Sequence, residues 1–166
     1  GPGRYREFLQ FDADYVGTKN LQADAELCVL ISEILEKCGL EKKDFFIKFS
    51  NRKLTDELFE RLKINSSSQR LKILRSLDKM ERLGWDEVEK LLGKGRKDKS
   101  GDFTEGAQLT KEKIELFKKV FKEKKIIGFA PEVLNEIAKM EEILGSFGLK
   151  NPENYTFDPT VVRGLE

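Results

Sequence analysis

The stretch that decides the fold is RYREFLQFDADYV, residues 4–16, near the start of the chain. One side of its alternation is mainly apolar and carries Tyr5, Leu9, Phe11, Ala13 and Tyr15, with Glu7 as the exception. The other side carries Arg4, Arg6, Gln10, Asp12 and Asp14, with Phe8 and Val16 among them. Alternation with a period of two over this length predicts a half-buried strand, which Gly17 ends.

A helix is predicted to follow this strand, with Asp24 as its N-cap and Gly39 as its stop. Its apolar face consists of Leu27, Leu30, Ile31, Ile34, Leu35 and Cys38. Residues 45–49 predict a short strand, and a helix carrying Leu58, Phe59 and Leu62 comes next. The polar run 65–68 then breaks the pattern, so residues 1–65 form a first unit.

Residues 66–148 predict helices only. Ser68 is a candidate cap for the first helix, residues 85–92 form a short second one, and the glycine-rich residues 93–108 are predicted to be a loop. The next helix begins after Thr110, with Leu109 and Ile114 as a hydrophobic staple. The last one begins at Pro131 and stops at Gly148. Residues 155–163 predict a returning strand, interrupted by Asp158-Pro159, so residues 149–166 form a third unit.

Composition excludes several kinds of protein. Hydrophobic residues make up 39% and charged residues 37% of the chain, which is a soluble globular balance. No apolar run approaches the ~20 residues that cross a bilayer, and no signal-peptide pattern opens the chain, so we expect a cytoplasmic protein without a membrane partner. The chain has no histidine, which excludes His-based acid–base chemistry and predicts no metal site made of protein ligands.

The two cysteines, Cys28 and Cys38, lie ten residues apart in one predicted helix. That spacing corresponds to ~15 Å, beyond the ~7 Å that a disulfide can bridge. We therefore expect both to be free, small, buried apolar groups in a reducing compartment.

Two features carry candidate chemistry. Gln10, Asp12 and Asp14 follow one another on the polar strand face, which fits either an exposed edge or a row of acceptors for a cationic or amine-bearing ligand. Arg163 stands among apolar residues beside a glycine. It is either a surface residue next to a turn or a buried guanidinium that needs a carboxylate or phosphate partner.

These runs resemble one family. Residues 3–17 resemble the second half of motif 2 in histidyl-tRNA synthetases, and FDPTVVRGLE, residues 157–166, resembles the histidine signature of that family. Residues 23–26, 48–53, 93–96 and 100–104 are similar to the family as well. The resemblance implies an α+β fold: a fragment of the class II antiparallel sheet, with residues 66–148 as a mainly helical insertion.

The resemblance also implies roles. Gln10 matches the residue that holds the amino group of histidine, and Asp14 matches the acid that binds its imidazole. Arg163 matches the arginine on the α-phosphate and the substrate carboxylate, and Arg4 matches a motif 2 arginine near the ATP phosphates. The reaction implied is activation of histidine by ATP, with magnesium on the phosphates, and transfer to tRNA(His).

The chain matches neither motif 1, through which the family forms homodimers, nor motif 3, nor the tyrosines of the histidine signature. We therefore expect the isolated chain to be inactive. Two further classes stay open: an RNA-binding module, and a regulatory paralogue that has the synthetase fold without charging activity. Retention of Gln10, Asp14 and Arg163 argues against the paralogue.

The insertion carries a local positive charge. Residues 93–128 hold eleven Lys and Arg against six Asp and Glu, although the whole chain carries only +1. Its candidate RNA-binding residues are Arg96, Lys97, Lys99, Lys111, Lys118, Lys122 and Lys125. On an α-helical wheel the last four lie within about 60° of one another. They form either a solvated face or a phosphate-contacting face, and Trp85 and Phe103 are either core residues or stacking platforms for a base.

Overall fold

The structure is a computed structural model that describes residues 7, 9–98 and 100–162. Within these residues lie seven α-helices and two small sheets, which confirms a mixed α and β fold. The elements are α1 (Leu21–Lys37), β1 (Ile47–Phe49), α2 (Arg52–Arg61), α3 (Ser67–Leu77), α4 (Met80–Leu83), α5 (Trp85–Leu92), β2 (Gly95–Lys97), β3 (Phe103–Glu105), α6 (Lys111–Phe117), α7 (Pro131–Ser146) and β4 (Tyr155–Phe157). None of the helices in this part of the chain has the length and apolar character to cross a membrane.

The entry segment, residues 9–20, is not a strand, so the predicted strand over residues 4–16 is wrong for its described part. Its side chains are exposed, and those of Leu9 and Val16 are almost entirely in solvent. A strand needs a neighbour for its backbone hydrogen bonds. Among the described residues, nothing supplies such a neighbour to residues 9–19.

Helix α1 begins earlier than predicted, because Asn20 rather than Asp24 is its N-cap. The Asn20 side chain accepts a hydrogen bond from the Gln22 amide at 3.0 Å. The helix buries a small-residue face, with Ala25 and Ser32 inside, against α7. The larger apolar residues of the predicted inner face lie partly in solvent, among them Leu30 and Ile31. Small residues suit the contact between α1 and α7 because they allow two helices to approach more closely.

The prediction of buried cysteines is wrong for Cys38, which is exposed at the C-cap of α1, whereas Cys28 is partly buried. Both are free thiols, as predicted.

Strands β1 and β4 pair in parallel, with Ile47 opposite Tyr155 and Phe49 opposite Phe157. This corrects the expectation that the returning strand would join an antiparallel sheet. Two strands can run in parallel here because the helices between them provide the long crossover connection that such a pair requires. Strand β4 is also shorter than predicted: it ends at Phe157, because Asp158 begins a turn.

Residues 93–108 contain an antiparallel hairpin rather than only a loop: β2 pairs with β3, with Lys97 opposite Phe103. Two glycines make this possible. A Cβ on Gly95 (φ +115°) would lie 2.3 Å from the Thr104 carbonyl oxygen, and one on Gly106 would lie 2.2 Å from the Gly93 carbonyl oxygen. The glycines that indicated a loop are therefore the residues that let the two strands approach.

The helical middle follows the predictions more closely. Helix α5 spans Trp85–Leu92, Pro131 starts α7 and Thr110 is the N-cap residue of α6, all as predicted, although the Thr110 side chain makes no capping hydrogen bond. Helix α3 is capped by Ser66 instead of Ser68. Helix α6 continues into a π-helical turn, Lys118–Lys122, which places both Phe117 and Phe121 inside with their rings stacked.

One cluster of buried side chains draws members from all three predicted units, for example Phe49, Phe117 and Tyr155. The units therefore share a core. Their boundaries at residues 65 and 148 stay a prediction.

Candidate functional site

The entry segment carries two of the predicted substrate-binding residues. Both Gln10 and Asp14 are exposed. The Gln10 amide donates hydrogen bonds to the two carboxylate oxygens of Asp12, at 2.7 and 2.8 Å. The Tyr15 hydroxyl donates to the Glu26 carboxylate of α1, and this hydrogen bond and charge raise the pKa of Tyr15. The segment is thus tied to α1 while its polar face stays open to solvent.

Arg4, Arg163 and Lys99 lie outside the described residues. The grouping of Gln10, Asp14 and Arg163 around one pocket therefore stays a prediction.

The exit segment, residues 155–162, leads directly to Arg163 and is anchored in the core. The carboxylate of Asp158 is buried, with 3% of the residue exposed, and Val162 is buried at 4%. Burial by itself raises the pKa of Asp158. The hydrogen bonds from Thr160 and the charge of Lys124 outweigh that effect and hold this pKa below its usual range.

A cavity of about 650 Å³ lies between α1, the residues that join β1 to α2, and α7. Asn51 is one of its lining residues. The side-chain Oδ1 of Asn51 caps α2 by accepting from the Lys53 backbone amide at 2.9 Å, and its side-chain amide donates to Glu136 at 2.9 Å. The Lys53 ammonium also bonds Glu136 and Glu132, and these hydrogen bonds raise the pKa of Lys53. Burial and the charge of Glu136 raise the pKa of Asp24 across the cavity.

This cavity joins two of the runs that resemble the synthetase family, residues 23–26 and 48–53. Sequence reasoning gave neither run a role. The available signal was that both runs are polar and both resemble the same family. In the described part of the chain, no group of three or more Cys, Asp or Glu side chains is placed to hold a metal ion.

The candidate RNA-binding cations differ in whether a carboxylate lies within ion-pair distance. Arg96 lies 2.9 Å from Glu87, Lys118 lies 3.4 Å from Glu115, and Lys125 lies 2.9 Å from Glu123. Lys97, Lys111 and Lys122 form no ion pair with any residue that the structure describes. All three are exposed. The predicted lysine face assumed a continuous α-helix to Lys125, and that assumption is wrong: a π-helical turn ends the helix at Lys122.

Two cations that the sequence did not single out lie beside the hairpin. Lys79 and Arg82 line a cavity of about 270 Å³ together with Arg96, Asp98 and Thr104. The Asp98 carboxylate is already occupied, since it accepts from the Ser100 and Asp102 amides at 2.8 and 3.0 Å. The Asp98 charge still offsets one cation and Arg96 is paired with Glu87, so one positive charge of the lining is left for an anion to compensate.

The two aromatic candidates have different positions. Trp85 is buried and its indole donates to Glu89 at 2.9 Å, which confirms it as a core residue. Phe103 is 61% exposed, so of the two alternatives the core position is wrong for it. It lies against Gly95 of the opposite strand, on the same hairpin face as Lys97, and its ring is available for stacking.

Comparisons with known proteins agree with the motif runs. The family model described as histidyl-tRNA synthetase matches residues 1–166, which is the whole chain. The chain is 40% identical to the histidine–tRNA ligase of Bartonella henselae, 37% identical to that of Bartonella quintana and 38% identical to that of Brucella ovis. Each alignment covers all of this chain and 36–37% of the relative's length, so the chain spans little more than a third of the proteins it matches. No solved structure matches it.

The match extends along the full chain and includes both ends that carry the motif runs, so it agrees with the resemblance seen in those residues. The chain belongs to the histidyl-tRNA synthetase family.

Proposed function

We propose that this chain is part of a histidine–tRNA ligase that activates histidine with ATP to histidyl-adenylate and transfers the histidyl group to tRNA(His). The observation that carries the proposal is the family match over residues 1–166. In this proposal Gln10 and Asp14 hold histidine, Arg163 binds the α-phosphate and the substrate carboxylate, and Arg4 lies near the ATP phosphates. The open polar face of the entry segment supports the first pair, because its side chains are accessible to a ligand.

The chemistry fits a chain without histidine. Activation is in-line attack by the carboxylate of histidine on the α-phosphorus, with pyrophosphate as the leaving group. Both reactants are anionic, so a fixed guanidinium lowers their repulsion and stabilises the charge of the transition state. No side chain has to transfer a proton in this step. Magnesium enters with the nucleotide as part of the substrate, bound to the phosphates.

Histidine-dependent ATP–pyrophosphate exchange by the full-length protein tests the proposal. Arg163→Ala should lower the exchange rate by about 100-fold or more, because it removes the cation at the reacting phosphate. Asp14→Asn should raise the KM for histidine. Glu33→Gln, which removes an exposed carboxylate of α1 with no assigned role, is the control and should stay within about twofold. Exchange that depends on another amino acid, or that survives Arg163→Ala, would contradict the proposal.

We also propose that the isolated chain does not catalyse exchange and that the full-length protein is a homodimer formed through motif 1. Exchange by the 166-residue chain alone would refute the first statement. A monomeric mass of the full-length protein in solution would refute the second. A protein that binds RNA in a salt-dependent way but shows no exchange would instead be the binding module or paralogue considered above.

The insertion is proposed to contact the acceptor stem of tRNA through its phosphates. Lys97, Lys111 and Lys122 support this because they are exposed and form no ion pair with a described residue, as does the cationic cavity of Lys79, Arg82 and Arg96. Lysines and arginines that meet phosphates set affinity and orientation without reading bases.

Charge reversal distinguishes the two cationic regions. Lys79→Glu with Arg82→Glu should weaken tRNA binding and flatten its salt dependence, with a change in slope of about one per lost contact. Lys118→Glu with Lys122→Glu tests the π-helical turn in the same way. Lys42→Glu with Lys43→Glu, in exposed residues outside the insertion, is the control. Unchanged affinity and slope in both insertion variants would refute an RNA contact there.

A further inference from the structure

The carboxylate of Asp158 is divided between two tasks. Its Oδ1 accepts hydrogen bonds from the Thr160 amide at 3.0 Å and from the Thr160 hydroxyl at 2.7 Å, so this oxygen closes the turn that follows β4. The backbone of the same residue is fixed as well, because its amide donates to the Phe49 carbonyl of β1 at 2.8 Å. Oδ1 therefore has its hydrogen-bond partners within the exit segment.

The second oxygen, Oδ2, meets two cations from different parts of the chain. The Lys124 ammonium, from the predicted insertion, lies 3.1 Å away, and the Lys48 ammonium of β1 lies 3.6 Å away. Lys48 is also paired with Glu81 of α4. A carboxylate that is almost fully buried needs such partners to remain ionised.

Lys124 reaches Asp158 from an unusual backbone position. It comes one residue after Glu123, the C-cap of the π-helical turn, and has φ +52°, in the left-handed region that residues with a Cβ rarely adopt. The Lys125 amide on its far side donates to the Lys119 carbonyl at 2.9 Å. The fold thus holds Lys124 in a defined place where the insertion meets the exit segment.

The residues after Asp158 are also fixed in the core. Pro159 is fully buried and Val162 is 4% exposed, so both ends of the turn are set in the core. Val162 is the residue immediately before Arg163. A displacement of the turn therefore moves the backbone at Val162, from which the chain continues to Arg163.

We infer that Lys124 and Asp158 form a positioning pair through which the insertion fixes the turn that delivers Arg163 to the reacting phosphate. The inference rests on the proposed function, since it assigns Arg163 to the α-phosphate. Neither Lys124 nor Asp158 touches the substrate in this account; they act through the backbone of residues 158–162. Displacement of a reacting group by about 1 Å can cost 100-fold in rate, so a small shift of the turn is enough to matter.

A purely structural role predicts a different result from a positioning role. Loss of positioning removes an interaction realised in the transition state, which lowers kcat and leaves the KM values for ATP and histidine nearly unchanged. Loss of stability alone lowers the melting temperature, while the folded fraction keeps its kcat. The Lys124 side chain is 51% exposed, so its replacement is compatible with folding.

The test is pyrophosphate exchange by the full-length protein. Lys124→Met should lower kcat about tenfold, with both KM values within about twofold, and Lys124→Arg should restore most of the rate. Asp158→Asn, which keeps an acceptor for Thr160 but removes the charge, should lower kcat at least as much. Lys119→Met, which replaces an exposed lysine of the neighbouring π-helical turn, is the control.

The outcomes are separable. If the wild-type protein catalyses no histidine-dependent exchange, the proposed function fails. If it does, and Lys124→Met has the same kcat as Lys119→Met, or Lys124→Arg is as slow as Lys124→Met, the positioning pair is refuted while the proposed function stands.

Discussion

The exit segment and the entry segment both carry runs that resemble one family, but only the exit segment is built into the core. Residues 155–162 have a parallel strand partner, a buried acid and two cations from other elements. Residues 9–20 are exposed, and Tyr15 joins them to α1 through Glu26. A motif therefore specifies its side-chain chemistry locally, whereas its placement depends on which neighbours complete its backbone hydrogen bonds.

Amide hydrogen exchange of the 166-residue chain should show the largest difference. The amides of Ile47 and Asp158 donate to carbonyls across the β1–β4 pair, so they should exchange at least about 1,000-fold more slowly than unprotected amides. The amides of residues 11–16 should exchange near the unprotected rate. Mass spectrometry or NMR follows the exchange. Similar protection of the amides in the two segments would show that the backbone of the entry segment is hydrogen-bonded.

Removal of one acid from each segment gives the next largest effect. Asp158→Ala should lower the free energy of unfolding by about 3 kcal/mol, because it frees Thr160 and leaves two cations beside a buried gap. Asp12→Ala should change it by less than about 0.5 kcal/mol, because Asp12 is exposed. Urea denaturation measures both values. Equal losses would contradict the difference between the segments.

Tyr155 of the exit segment and Tyr15 of the entry segment form a matched pair. The buried Tyr155 hydroxyl donates to the Glu141 carbonyl at 3.1 Å, so Tyr155→Phe should cost about 1 kcal/mol of unfolding free energy. Tyr15→Phe removes an exposed hydrogen bond and should lower the free energy of unfolding by only a few tenths of that amount, that is, by a few tenths of about 1 kcal/mol. A larger loss at Tyr15, measured in the same urea titrations, would mean that the entry segment is held more firmly than its exposure indicates.

The pH dependence of the exit segment is the smallest effect. The pKa of Asp158 is lowered in the folded state, so the ionised carboxylate stabilises the fold above its unfolded pKa of about 3.9. This stabilisation is lost as the pH falls through the folded pKa. The stability difference between wild type and Asp158→Asn should be constant from about pH 7 to 5, then shrink as the pH falls through the folded pKa of Asp158. Growth of the difference in acid would contradict this sign.

The sequence predicted the elements whose signals are local. Pro131 and the glycine before Trp85 marked helix starts, and the structure has helices there. The hairpin was missed because Gly95 and Gly106 have the composition of a loop, and only the close contact between strands shows why glycine is needed. The parallel pairing of β1 with β4 was missed because it joins residues more than a hundred positions apart.

The residues of the candidate site were named from motif runs, and their roles and grouping stay a prediction. Gln10, Asp14 and Arg163 followed from motif runs, and the family match agrees with those runs. The Asp158 network could not be predicted, because Lys48 and Lys124 are ordinary lysines until the fold brings them to one carboxylate. The inner face of α1 was misassigned because the helix has apolar residues on more than one side.

The central claim is that the two segments, held so differently in this chain, line one histidine- and phosphate-binding site. A crystal structure of the full-length protein with a non-hydrolysable histidyl-adenylate analogue tests this directly. The account predicts Asp14 within about 3.2 Å of the imidazole, and the Arg163 guanidinium at the same distance from the group that replaces the α-phosphate. A bound analogue with Gln10 and Asp14 still facing solvent, away from Arg163, would contradict it.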